Sequence, residues 1–174
     1  MSDENKIISF LFYFRLVFWF LVWTLAEYLL HRFMHYNHSL NIFFKIHRHH
    51  HNIEMEKLTS KNNRWPKFSY LFFWFDNLNE TIEIIFGETM PALIIYFIDP
   101  ECGFLILVFH YVYELLATDS LLEHNTDIKN SMIIKTFAVG QFHLQHHRQT
   151  NKNYGFTITL WDHIFGTYKH YSED

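Results

Sequence analysis

The chain has 174 residues, a formal charge of −4 at neutral pH and a single cysteine, Cys102. That length fits one domain, 1–174. The acidic balance gives no reason to expect a nucleic-acid partner, and one cysteine excludes an intrachain disulfide and a thiolate-built metal site. Hydrophobic residues make up 49% and aromatics 20% of the chain, yet mean hydropathy is only −0.07, so oily stretches must alternate with polar ones.

The first oily stretch is Ile7 to Leu30, apolar apart from Arg15, Thr24, Glu27 and Ser9 near its start. As a helix it measures about 36 Å, enough to cross a hydrocarbon core of about 30 Å with some tilt. A signal peptide would be shorter and would end at small residues, whereas this run continues into His31 and His35, so it is read as a membrane helix. Residues 31–67 are polar and basic, and Pro66 with the run at 61–63 marks a loop. From Phe68 to Phe86 apolar residues alternate with Asp76, Asn77, Asn79, Glu80 and Glu83. This predicts an interfacial helix rather than a span, because several acids would otherwise sit in lipid.

Met90–Ile98 and Phe104–Ala117 are strongly apolar, and the intervening Asp99-Pro100-Glu101-Cys102-Gly103 predicts a tight turn, hence a helical hairpin. Its first arm is short for a full crossing unless it begins near Ile84. No Lys or Arg occurs from Phe68 to Ile128. Basic residues gather instead at 32–67 and 129–169, which places both of those regions in the cytosol and the N-terminus outside. The expected fold is all-α, with multi-pass membrane helices and a cytosolic histidine-rich helical cap.

Fourteen residues are histidine, and nine of them fall into spaced groups. These are His31 and His35; His47, His50 and His51; His124; and His143, His146 and His147. The patterns are H-x-x-x-H, H-x-x-H-H, a lone H, and H-x-x-H-H again. Residues three and four apart share a helix face, so each group can aim its rings at a common point. Neutral imidazole suits Fe, Zn, Cu and Ni, and nine rings exceed what one tetrahedral ion needs. Two metal ions are the economical reading, with one ring of each H-x-x-H-H group binding each metal. Glu27, one turn before His31, and Asp162 are candidate acceptors for imidazole N–H groups. His49 falls off the register of its neighbours. His38, His110, His163 and His170 are read as polar surface or satisfied interior residues.

With these groups in view, the chain resembles the fatty acid hydroxylase and sterol desaturase superfamily of integral-membrane histidine-box enzymes. The resemblance covers about 27–169. It rests on the ordered boxes, on His146-His147-Arg148-Gln149-Thr150-Asn151-Lys152-Asn153-Tyr154-Gly155, and on Trp161-Asp162-His163-Ile164-Phe165-Gly166-Thr167. It implies two iron ions, with zinc as a possible substitute, and dioxygen-dependent hydroxylation or desaturation of a fatty-acyl or sterol lipid. The membrane would be the endoplasmic reticulum in a eukaryote or the inner membrane in a bacterium. No electron-transfer domain is read in the chain, so a separate donor such as a b-type cytochrome or ferredoxin is expected.

One box departs from the family pattern. Ser120 stands where many members carry a further histidine, although His124-Asn125 resembles an H-x-N form. The alternatives are a catalytically inactive metal-binding scaffold of the same family, favoured by Ser120, and a zinc-dependent membrane hydrolase. The hydrolase is disfavoured because no H-E-x-x-H is present. A b-type haem protein would pair its histidines within the spans, whereas these boxes sit at span ends.

Overall fold

The computed structural model describes residues 3–57, 68–75, 77–117, 122, 125, 127, 128 and 132–171. Helix α1 runs Asp3–Met34, about 48 Å of rod, with an apolar window of mean hydropathy 1.9. It passes Leu30 without a break because no Pro or Gly follows before Asn37, so His31 rides on the same rigid element as the apolar run. One residue closes this helix and opens the next. The Asn41 Nδ2 donates to the carbonyls of Phe33 (2.9 Å) and Tyr36 (3.0 Å), and its Oδ1 accepts the amide of Phe44 (3.2 Å). Helix α2, Ile42–Lys57, starts there. Carbonyls at one helix end and amides at the next both lack intrahelical partners, and Asn carries a donor and an acceptor.

A 3₁₀ turn, Phe68–Phe72, leads to Asn77, whose side chain accepts the amides of Asn79 (2.9 Å) and Glu80 (3.1 Å) and so caps α3, Leu78–Ile84. A π turn, Ile85–Thr89, joins α3 directly to α4, Met90–Ile98. Pro91 lacks an amide hydrogen and would crowd the carbonyl of Gly87 four residues back; the wider π turn relieves that contact. The result is one continuous rod, Leu78–Ile98, of mean hydropathy 1.6. This corrects the expectation of an interfacial helix ending near Phe86. Of the acids that argue against a span, Glu83 is buried inside the protein rather than turned to lipid, as is Glu88 of the π turn. With α1, two helices among the described residues are long and apolar enough to cross a membrane.

The hairpin forms as expected, but with a shorter turn. Asp99 alone separates α4 from α5, Pro100–Ala117. Its Oδ1 accepts the Cys102 amide (3.3 Å) and its carbonyl accepts the Gly103 amide (2.8 Å), while Pro100 occupies the first helical position, where no amide is needed. Gly103 sits against the backbone of Tyr96, where a Cβ would overlap the other arm. Arg15 ties α1 to this turn through Asp99 (2.6 and 2.9 Å), joined by the Trp19 indole (3.0 Å). Trp23, Ala92, Ile95 and Ile106 form the core among the three rods. Phe10, Phe14, Phe97 and Phe104 face outward, as lipid-facing side chains do.

The cap consists of α6 (Met132–Thr136), α7 (Gln141–Arg148) and α8 (Leu160–Phe165). A small cluster of Ala138 and Phe142, flanked by Ile128 and Tyr168, holds it together. Phe137 and Ile158 form an isolated bridge; the described residues are otherwise helices and loops.

Candidate metal centre

Five imidazoles meet where α1, α2 and α7 converge. His31, His35, His47, His51 and His146 each place one ring nitrogen within 4.8 Å of the others, and His50, His143 and His147 form a second such group. The groups adjoin, with the His51 and His147 rings 4.4 Å apart. Eight of the nine predicted histidines are thereby brought together; His124, like Ser120, lies outside the described residues. His38, His49, His163 and His170 are exposed and His110 is fully buried.

In the five-ring group the Nε2 atoms nearly touch. The separations are 2.7 Å for His35–His47, 2.9 Å for His47–His51, 3.0 Å for His35–His146, 3.1 Å for His31–His47 and 3.3 Å for His31–His35. In the three-ring group His143 and His147 stand 2.8 Å apart through Nε2. The opposite ring nitrogens explain what these contacts are. The Nδ1 of His31 meets the Tyr154 carbonyl at 2.8 Å, that of His146 meets the Lys152 carbonyl at 2.7 Å, and that of His47 meets Glu83 Oε1 at 2.6 Å. A carbonyl or carboxylate oxygen only accepts, so Nδ1 carries the proton on all three rings and Nε2 presents a lone pair. The Nε2 atoms of these three rings, crowded with those of His35 and His51, therefore turn lone pairs toward one point. A cation there replaces mutual repulsion with coordination, so the donor set fits a metal ion.

The alternative cation, a proton, is disfavoured. Burial, reinforced by neighbouring histidines, holds His47 and His146 well below the usual imidazole range, and burial lowers His35 to about 4. Near neutral pH these rings are neutral and free to ligate.

The loop that supplies two of the backbone acceptors is built by Asp162, which is fully buried. It accepts the amides of Tyr154 (2.7 Å) and Gly155 (2.8 Å) and the Thr167 hydroxyl (2.6 Å). Burial pushes its carboxyl up, against the pull of these three hydrogen bonds. Gly155 packs so closely on the Ile158 carbonyl that a Cβ would collide. Asn153 adopts a left-handed φ of 57° and bridges the carbonyls of Phe142 and Lys169, both at 2.9 Å. The loop is fastened to α1 by Tyr28–Thr167 (3.0 Å) and by Trp161 donating to Thr24 (3.0 Å). The Phe156 ring stacks on His31 at 4.1 Å.

Two expectations are corrected here. Among the described residues neither Glu27 nor Asp162 accepts from an imidazole: the Glu27 Oε2 takes the Thr157 hydroxyl (2.8 Å) and Asp162 takes the loop amides. The carboxylate that orients a ring of the five-ring group is Glu83, which holds His47 and lies in the segment read as an interfacial helix. The signal that could have found it is that an acid inside an apolar helix is costly unless a specific partner is present.

The profile of the fatty acid hydroxylase family matches residues 16–167. The chain belongs to the fatty acid hydroxylase family. It is also similar to lathosterol oxidase of Mus musculus, 29% identical over 167 residues, which is 95% of this chain and 45% of that protein. The chain thus spans about half the length of that curated relative. No solved structure matches it. The matched region begins inside α1 and ends at Thr167, so it contains every histidine of both groups as well as the Asp162 loop.

Proposed function

We propose that this member of the family is an integral-membrane lipid oxygenase. In this reading His31, His35, His47, His51 and His146 hold one iron, and His50, His143 and His147, joined by His124, hold a second. The observation that carries it is the convergence of Nε2 lone pairs on rings whose tautomers are fixed by Nδ1 donors. When bound, the iron pair would supply dioxygen reduction and the removal of hydrogen from an unactivated C–H bond. Zinc would substitute in the same donor set without that redox chemistry.

The chain's own residues orient and shield. Glu83 and the carbonyls of Tyr154 and Lys152 fix three rings, and Phe156 covers the face of His31. His31 and His146 are wholly inaccessible to solvent, so water is kept from that side of the five-ring group. The helices α1, α4 and α5 present apolar side chains outward, which suits a fatty-acyl or sterol substrate delivered from the bilayer. Both histidine-bearing regions lie on the cytosolic side, where a separate b-type cytochrome or ferredoxin supplies electrons, in the endoplasmic reticulum or a bacterial inner membrane. In hydroxylation one dioxygen, two electrons and two protons convert R–H to R–OH and water. Desaturation consumes the same reagents and releases both oxygens as water.

The test is iron analysis of the purified chain together with turnover of fatty-acyl and sterol lipids under labelled dioxygen. The reading expects two irons and a dioxygen-dependent product carrying label in any new hydroxyl. Lipid turnover that proceeds without dioxygen would point to the hydrolase instead, and a metal-loaded but inert protein to the scaffold.

A further inference from the structure

A second polar cluster lies toward the membrane interior, where a satisfied interior was expected. Glu27 is one helical turn below His31 on α1, about 6 Å along the axis. It meets Glu88 of the π turn and His110 of α5, with one donor atom of each within 4.8 Å of the others. Glu114, one turn along α5 from His110, closes the group and hydrogen-bonds Glu88. All four are 5% exposed or less. Trp23 and Phe73 wall the cluster, with ring centroids 5.7 and 5.8 Å from that of His110.

The tautomer of His110 is fixed by its neighbour. The Thr89 hydroxyl donates to the Ile84 carbonyl (3.3 Å), so its oxygen accepts from His110 Nε2 at 2.9 Å. The Nε2 carries the proton, and Nδ1 is left as a buried lone pair with no hydrogen-bond partner among the described residues. That lone pair faces Glu88 Oε2 at 3.8 Å and Glu114 Oε1 at 3.9 Å. These gaps are too long for hydrogen bonds. Two donors each about 2.1 Å from one ion stand roughly 3 to 4.2 Å apart, depending on the angle between them. Glu27 Oε1, also buried, likewise has no hydrogen-bond partner among the described residues.

We propose that Glu27, Glu88, Glu114 and His110 hold a divalent transition-metal cation, separate from the histidine centre. Three carboxyl groups, two of them sharing a proton, and one imidazole are an oxygen-rich set suited to Mn²⁺, Fe²⁺ or Zn²⁺. The charges close. A hydrogen bond between the carboxyl groups of Glu88 and Glu114 requires one shared proton, which leaves that pair at −1; with Glu27 at −1, a divalent ion makes the cluster neutral among apolar helices. The π turn that relieves Pro91 also places Glu88 and Thr89 at the cluster, in keeping with the frequent occurrence of π turns at functional sites.

The probe is Mn²⁺, added to the full chain after the histidine centre has been loaded with iron. The proposal expects one bound Mn²⁺ per chain, with pulsed electron paramagnetic resonance showing a single imidazole nitrogen in its coordination. Glu27→Gln and His110→Gln should each lose that ion while keeping the iron content of the parent. His147→Ala should lose iron and keep the Mn²⁺ site. If a variant fails to fold, the nitrogen count in the parent protein decides. No Mn²⁺ bound beyond the histidine centre, or Mn²⁺ coupled to several imidazoles, would overturn the proposal and leave the iron reading untouched. Absence of iron with Mn²⁺ still bound to one imidazole would do the reverse.

Discussion

On α2 the outer pair of the H-x-x-H-H string, His47 and His51, joins the five-ring group, and His50 joins the three-ring group. On α7 the same string divides the other way: His143 and His147 enter the three-ring group and His146 enters the five-ring group. Within each helix the two rings four apart share a face and the third points to the neighbouring group, as helical geometry requires. What differs is how each helix faces the junction, and that is set by packing. The supports differ as well. The Nδ1 of His47 is held by a side chain, Glu83, whereas that of His146 is held by a backbone carbonyl, Lys152, in a loop fixed by Asp162. Equal spelling thus yields two unlike halves, one adjustable by a single substitution and the other only by moving a loop.

The largest effect should come from removing a ring. His146→Ala takes away the one α7 ligand of the five-ring group, so elemental analysis should show loss of at least one ion per chain while circular dichroism keeps its helical signal. Acid should come next, acting on both halves alike. The folded protein holds His35 at about 4 against 6.5 when unfolded, and His47 and His146 are also lowered. The unfolded chain therefore binds protons first, so stability of the metal-free protein is full above about 6.5 and falls as pH drops toward 4. His35 alone accounts for a loss of order 3 kcal/mol, readable in denaturant titrations at pH 7 and 4.5.

Glu83→Ala separates the halves. It should weaken metal binding about 10- to 100-fold through α2, and Glu83→Gln should recover part of the loss because its carbonyl still accepts from Nδ1. A competition titration with a chelator measures both. The smallest effect is expected for Asp162→Asn, which keeps one acceptor oxygen but leaves the buried Gly155 amide without one. A cost of about 1–3 kcal/mol in stability follows, with metal affinity at the α7 side declining in step.

Much of this was legible in the sequence. The boxes announce themselves because ligand geometry needs residues three and four apart, and the apolar run of α1 and the hairpin arms show in hydropathy alone. Two things were hidden. The continuous apolar rod at Leu78–Ile98 is obscured by Glu80 and Glu83, because an acid directed at a buried histidine, as Glu83 is at His47, is indistinguishable in one dimension from an acid directed at water. The orienting groups were misassigned to Glu27 and Asp162, since two of the three real acceptors are main-chain carbonyls with no side-chain signature. His124, the lone histidine between the boxes, lies outside the described residues.

His35 and His146 are 111 positions apart in the chain, yet their Nε2 atoms are 3.0 Å apart. An ion shared between them would act as a clasp across the intervening loop, in a protein whose single cysteine rules out an intrachain disulfide. Fastening a loop of that length removes unfolded-chain entropy worth about 4–5 kcal/mol by the estimate used for disulfides. The ion would thereby join a structural duty to its chemical one. Chelation would first release the segment that carries α7 and the Asp162 loop, whose hold on α1 would fall to Tyr28–Thr167, Trp161–Thr24 and their neighbours. The hairpin, fastened to α1 through Arg15 and Asp99 at the far end, would stay in place.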